Sequence, residues 1–417
     1  MHYFIYKGNK LFCEGVAVEE LAKKYGTPLY VYSQYTFAEH FKKLDAAFKN
    51  IPHLVCFAVK ANANMAILSS LNKLGSGFDI VSGGELYKAI KIGADPQKIV
   101  FAGVGKTSSE IAYALKVNVL MFNVESVAEA YAIQEVARSL KKKAKIAIRV
   151  NPDVTVDTHA YITTGKKGTK FGVQLNAVKG LIKNLLNFGN IEIVGLHFHI
   201  GSQITTTRPY IEAAKKAVRL VRDVRDMGVP ISFLNLGGGL GITYNKENPS
   251  TADKFAQAIL PYLKGLNVKL LLEPGRFIVG SAGILVTKVL YLKESANKNF
   301  VIVDGGMNDL IRPSLYEAYH YIQPLRKVKV SHQIVDVVGP VCESGDFFAK
   351  DRSLPLVKSG DYLAVMSAGA YGYVMASNYN ARGKPAEILV CGTQSYLVKK
   401  RETIQDLIRG ERVPVEQ

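Results

Sequence analysis

Lys60 closes the apolar run Cys56-Phe57-Ala58-Val59. An amine at the end of a buried strand is desolvated, which favours its neutral, nucleophilic form. The same lysine could instead run its stem along the surface and leave its charge in water. Glu273 ends a second apolar run, Leu270-Leu271-Leu272, and a carboxylate placed there needs a partner. A protonated ring nitrogen is one candidate; Arg276 or another arginine is the other. Gly237-Gly238-Gly239 and Gly275-Arg276 allow backbone amides to approach an anion closely, although a lone triplet also serves as a plain tight turn. His197 and His199 point the same way along a strand. Such a pair can hold a metal, but a metal barrel needs further ligands on other strands. Of the other histidines, His53 stands at the wrong end of its run and His159 sits in a long connection. One of the pair therefore suits stacking on a flat ring, the other a hydrogen-bonded place in the core.

These residues fall on a regular frame. Short apolar runs cover 53–59, 78–81, 99–102, 119–122, 145–150, 193–200, 232–236 and 269–272. They are rich in Val, Ile and Leu and polar only at their ends, as parallel strands buried on both faces are. Segments of helical period lie between them, at 65–74, 85–92, 109–115, 126–140, 210–227 and 253–263. About eight such units predict a closed (β/α)8, TIM-like barrel over 27–276, whose active site lies at the C-terminal ends of the strands. Those ends carry Lys60, Asp79, Arg149, His197 and His199, the glycine triplet, and Glu273-Pro274-Gly275-Arg276. Two glycine turns on adjacent late strands match the usual phosphate position of such barrels. The set has the composition of a site for a phosphate-bearing cofactor. The stretch 151–190 is long for a connection, and long barrel loops are often functional.

After Gly275 the texture changes. Runs at 284–293, 300–304, 333–338, 362–366 and 386–390 are β-rich, with Gly, Pro and Asp between them. They predict a mostly antiparallel β domain over 277–417, joined by residues 1–26.

Bulk composition narrows the class. With 48% hydrophobic residues the 417-residue chain is globular and long enough for two domains. No apolar run is long enough to cross a bilayer, and the start lacks the marks of a signal peptide, so the cytoplasm is expected. The four cysteines, Cys13, Cys56, Cys342 and Cys391, form no close pair, as free thiols of a reducing compartment would. The net charge of +18 is spread along the chain. No zinc finger, RNP or helix-turn-helix pattern accompanies it, so a basic surface is expected and not a nucleic-acid partner.

With these residues in view, the chain resembles the fold-type III pyridoxal 5'-phosphate (PLP) decarboxylases from about residue 25 to 400. The motifs are Phe57-Ala58-Val59-Lys60-Ala61-Asn62, Phe78-Asp79-Ile80-Val81-Ser82-Gly83-Gly84-Glu85, His197-Phe198-His199-Ile200-Gly201-Ser202-Gln203, the glycine triplet and Glu273-Pro274-Gly275-Arg276. In the second domain they are Arg312-Pro313-Ser314-Leu315-Tyr316, Cys342-Glu343-Ser344-Gly345-Asp346 and Gly369-Ala370-Tyr371-Gly372. Glu317-Ala318-Tyr319 and Tyr373-Val374-Met375-Ala376 depart from the usual pattern. The resemblance implies that Lys60 carries the cofactor covalently, His199 stacks on its ring and Glu273 pairs with its ring nitrogen. It assigns the phosphate to Gly239, Gly275, Arg276, Ser202 and Tyr371, with Asp79 and Arg149 shaping the site. It assigns the substrate to Arg276, Arg312, Tyr316, Glu343 and Tyr371, and proton return to Cys342. It also implies a homodimer in which Cys342 and its neighbours reach the partner's active site, and no metal.

Cys342-Glu343 fits the branch that decarboxylates meso-2,6-diaminopimelate to L-lysine and CO2, the last step of lysine biosynthesis. The ornithine and arginine branches carry Cys-Asp there. The alternatives are a related decarboxylase acting on ornithine, arginine or carboxynorspermidine, and a PLP racemase of the same barrel type.

Overall fold

The computed structural model describes residues 2–154, 170–296, 298–327 and 330–414. It divides into two compact units, Ala38–Ile278 and the paired segments Met1–Phe37 and Val279–Gln417.

The first unit is a closed parallel barrel. Its strands are His53–Ala58, Gly77–Ile80, Ile99–Phe101, Met121–Val124, Ala144–Asn151, Ile191–Phe198, Phe233–Asn235 and Lys269–Leu272, each paired with the next. The last returns to the first, with Leu270 opposite His53 and Leu272 opposite Val55. Side chains at Leu54, Cys56, Val100, Leu120, Met121, Ala147, Val194 and Leu271 form one buried cluster. Cys56 is an inert member of it, its thiol pushed up by burial.

Polar residues after the strands start the helices. Ser82 accepts from the Glu85 amide to cap Gly83–Lys91, and Ser126 caps Val127–Ser139 in the same way. Thr107 and Glu110 form a reciprocal capping box on Ser108–Val117. In the long connection after Asn151, residues 155–169, with His159 among them, lie outside the described residues. Beyond them Val173–Gln174 adds a short parallel pairing, and helix Val178–Leu185 buries Val178, Leu181, Ile182 and Leu185.

In the second unit Gly283–Ser295 is the organising strand, antiparallel to Leu29–Ser33, Lys298–Val303 and Tyr362–Val365. Two pairings in its sheet are parallel: Leu29–Ser33 with Ala386–Cys391, and Lys298–Val303 with His332–Val338. Leu29–Ser33 is a correction to the expected barrel limit at residue 27, because this strand belongs to the second unit. Its five residues are all buried, so its apolar texture matches a barrel strand and only its pairing distinguishes it. The N-terminal strands Phe4–Lys7, Lys10–Cys13 and Val16–Ala17 form a separate small sheet in the same unit. Their apolar side joins a core with Leu29, Val31, Ile284, Val286, Ile388 and Val390.

Candidate active site

A single 3-10 turn, Val59–Ala61, follows the first barrel strand and carries Lys60. Its Nζ lies 2.5 Å from Asp79 Oδ2. The register that sets Ala58 opposite Asp79 makes this contact. Asp79 is fully buried, whereas the Lys60 side chain keeps 37% of its exposure. The amine thus stands at a mouth, and its counter-ion is the sealed partner. Burial, reinforced by Glu273, raises the Asp79 pKa to about 6 against the opposing pull of Lys60. Within electrostatic reach of both, Glu85 accepts from the Val81 amide at 2.8 Å, and burial raises it to about 7.

Glu273 follows the eighth strand and is buried. Asn235 and Asn123 donate to its Oε1 at 2.6 and 3.0 Å. His197 Nε2 lies 3.2 Å from Oε2, near enough for charge interaction but not aligned as a hydrogen bond. Burial alone would raise this carboxyl; His197, Lys60 and Asn235 outweigh it and hold Glu273 well below the usual carboxylate range. The result is an anion kept charged inside a barrel, which suits a cationic ring nitrogen.

His199 turns toward the glycine triplet, and the Gly238 amide donates to its Nδ1 at 3.2 Å. The ring therefore accepts at that nitrogen. Burial, then the charges of Arg149 and Lys60, lower its pKa well below the ordinary histidine value, so a neutral imidazole is presented. Only glycine permits this packing. At Gly237 (φ +66°) a Cβ would come within 2.6 Å of His199 Nδ1, and at Gly239 (φ +98°) within 2.4 Å of the Gly201 carbonyl oxygen.

Arg276 spreads its guanidinium between Tyr244 and Ser202, donating from Nη1 to Tyr244 Oη at 2.7 Å and from Nη2 to Ser202 Oγ at 3.1 Å. Arg149 donates to Glu125 Oε1 at 2.6 Å and lies over the Phe171 ring. Glu125 in turn accepts from the Gly172 amide at 3.1 Å.

The remaining predicted residues belong to the second unit. Arg312 and Tyr316 open and close the short helix Arg312–Tyr316, and Arg312 is buried. Tyr371 has a left-handed backbone (φ +56°) between Gly369 and Gly372. Cys342 and Glu343 are exposed on one loop. Asn380 Oδ1 accepts from the Cys342 amide at 2.8 Å, and Tyr379 Oη lies 3.5 Å from Glu343 Oε2. Asp346 is buried and accepts from the Met307 and Val341 amides at 2.6 Å each. It anchors the loop from within.

Asn123, Asn235, Glu125, Glu85 and Tyr244 complete the barrel site without having been singled out in the sequence. Asn235 did leave a signal, an amide ending an otherwise apolar strand, and Asn123 is next to last in its own.

A phosphorylated, flat, cationic-ring cofactor fits these residues. Asp79 Oδ1 and Asn123 Oδ1 are buried with no hydrogen-bond partner among the described residues. Beside them stand an amine, a stabilised anion and a neutral imidazole. PLP has groups of matching chemistry: an aldehyde for an amine, a ring nitrogen for an anion and a flat face for an imidazole. Among the described residues no cluster of His, Cys, Asp and Glu is arranged to hold a metal ion.

Comparison with known proteins places the site in a family. Residues 35–280 match the pyridoxal-dependent decarboxylase, pyridoxal binding domain. A diaminopimelate decarboxylase of Haemophilus influenzae is 49% identical over 409 residues, covering 98% of either chain. The structure of Helicobacter pylori diaminopimelate decarboxylase complexed with L-lysine superposes with TM-score 0.91 at 44% identity, covering 94% of this chain and 98% of the other. That of the M. jannaschii enzyme in co-complex with L-lysine superposes with TM-score 0.94 at 41% identity, covering 99% of each chain.

Proposed function

Because the chain belongs to the pyridoxal-dependent decarboxylases and is a full-length relative of diaminopimelate decarboxylases, we propose the following division of work among its residues. The cofactor is PLP, and the reaction is decarboxylation of meso-2,6-diaminopimelate to L-lysine and CO2. When bound, PLP supplies a cationic ring that accepts the electron pair left behind by departing CO2.

Lys60 holds the cofactor through its amine, with Asp79 as counter-ion. Glu273 keeps the ring nitrogen protonated, and His199 packs its neutral imidazole on the ring face. Gly239, Gly275, the Arg276 amide, Ser202 and Tyr371 take the phosphate. Arg149, fixed by Glu125, shapes the wall behind His199. The far end of the substrate carries one ammonium and one carboxylate. Glu343 receives the first, Arg276 and Arg312 the second, and Tyr316 and Tyr371 line the place. Cys342 returns a proton to the carbon that has lost CO2. Its exposure, on a loop anchored by Asp346, supports delivery into the barrel of a second copy, and hence a homodimer. The place proposed for the protein is the cytoplasm; among the described residues no helix is long and apolar enough to cross a membrane.

The observation that carries this reading is the convergence of Lys60 with its buried Asp79 and the stabilised Glu273 anion at one barrel mouth. The test is CO2 release across a panel. meso-Diaminopimelate should yield L-lysine, with ornithine and arginine far behind and no racemised amino acid formed. Putrescine from ornithine, with no lysine from diaminopimelate, would overturn the substrate assignment.

A further inference from the structure

Arg312 begins its helix with Pro313 at the first turn, and Glu317 ends it in a left-handed conformation (φ +51°). The Ala318 amide donates back to the Arg312 carbonyl at 3.3 Å. The chain therefore doubles back and brings His320, which is fully buried, against the arginine it follows. Arg312 Nη1 lies 3.0 Å from His320 Nε2, and His320 Nδ1 lies 2.7 Å from the Met366 carbonyl oxygen. A guanidinium has donors only and a carbonyl accepts only. Nε2 must therefore offer its lone pair to Arg312, and Nδ1 must carry the proton given to Met366. One neutral tautomer satisfies both ends. The turn around the ring is tied down as well: Arg352 Nη1 donates to the His320 carbonyl at 2.7 Å, and the Met366 amide to the Tyr321 carbonyl at 2.8 Å.

We propose that His320 is the positioning residue for Arg312, and that through it the enzyme reads the substrate's far carboxylate. The inference rests on the role given above to Arg312. A carboxylate at position 320 would orient the guanidinium but also neutralise it. A neutral imidazole acceptor orients it and leaves the positive charge for an incoming anion, whose paired oxygens demand a fixed guanidinium plane.

The product makes the test specific. L-Lysine keeps the carboxylate that Arg312 would bind, and 1,5-diaminopentane has none. Inhibition of the holoenzyme by each is measured for wild type, His320→Asn, His320→Gln and Arg312→Ala, together with kcat and KM for diaminopimelate. Asn keeps a donor toward Met366 and loses the acceptor at Nε2; Gln reaches far enough to restore an acceptor. We expect His320→Asn to weaken lysine inhibition and raise KM about 10-fold, the scale of a lost hydrogen bond to a charged group. Diaminopentane inhibition and kcat should change much less, and His320→Gln should recover most of the loss. Equal weakening toward both inhibitors, a change confined to kcat, or identical behaviour of Asn and Gln would overturn the proposal. If Arg312→Ala keeps the preference for lysine, the role given to Arg312 itself is what fails.

Discussion

Asp79 Oδ2 lies 2.5 Å from the Lys60 amine, while Oδ1 of the same carboxylate is buried without a hydrogen-bond partner among the described residues. Burial and Glu273 raise its pKa to about 6, with Lys60 working against them. The carboxylate is charged at neutral pH and loses that charge in mild acid. We predict that the PLP dissociation constant of the wild type rises as pH falls through this value, because the amine loses its counter-ion. Asp79→Asn should bind PLP more weakly at neutral pH and show no such slope. Spectroscopic PLP titration across the range checks this; an identical slope in both proteins would remove Asp79 as the cause. Stability has its own sign. A carboxyl raised on folding takes up a proton, so its contribution falls as pH rises from the unfolded value of about 3.9 toward 6. Asp79→Asn should flatten that part of the apo stability curve.

Glu273 is shifted in the opposite direction, held low by His197, Lys60 and Asn235 against its burial. It therefore stays anionic through the neutral range. Glu273→Gln preserves shape and the acceptor for Asn235 but removes the charge. We expect kcat to fall by about 10²–10³, the usual effect of losing one well-placed electrostatic stabiliser, with PLP still bound. An unchanged kcat would mean that the ring nitrogen does not depend on this acid.

The polar cluster at the barrel mouth was legible because parallel strands buried on both faces are polar only where they end. That rule marked Lys60, Asp79, His199, Glu273 and both glycine turns. It overlooked Asn123 and Asn235, next to last and last in their strands, whose purpose shows only once Glu273 is seen to need them. Glu125 and Tyr244 fix arginines from neighbouring loops, a relation set by folding and not by spacing. Leu29–Ser33 was hidden because a buried strand has the same apolar texture in either sheet. Arg276 was considered a partner for Glu273, yet its guanidinium nitrogens donate to Tyr244 and Ser202. Cys342 was readable by resemblance alone, since one exposed thiol carries no signal of its role.

Cys342 stands exposed, with its amide held by Asn380. If it returns the proton, Cys342→Ala should lower kcat by about 10²–10⁴, the range for losing a general acid, with PLP binding intact. Mixing inactive Cys342→Ala with inactive Lys60→Ala should then restore activity, because a mixed dimer can pair one intact barrel with one intact thiol. Absence of such rescue, with subunit exchange verified, would place the thiol in its own chain's site or outside catalysis.

Gly239 supplies a test of the phosphate cradle that involves no titrating group. Its backbone is left-handed at φ +98°, and a Cβ would meet the Gly201 carbonyl oxygen at 2.4 Å and the Tyr210 hydroxyl at 3.0 Å. Gly239 is itself held, its carbonyl accepting from the Ile204 amide at 2.9 Å, and Tyr210 is tied by donating to the Gly238 carbonyl at 3.2 Å. Gly239→Ala should therefore destabilise the protein by about 1–3 kcal/mol through backbone strain. It should also weaken PLP binding, since the amide assigned to the phosphate must move with the backbone. Gly84→Ala is the control. Gly84 lies in the first turn of helix Gly83–Lys91, where a Cβ would meet nothing nearer than Ser82 Oγ at 3.8 Å, and alanine is the better helix former. Thermal melts of apo and PLP-loaded protein separate the two effects. A lower Tm only in the apo form would point to strain that the cofactor relieves. A lower Tm in both, with the PLP-dependent increment reduced, is the result that the cradle requires.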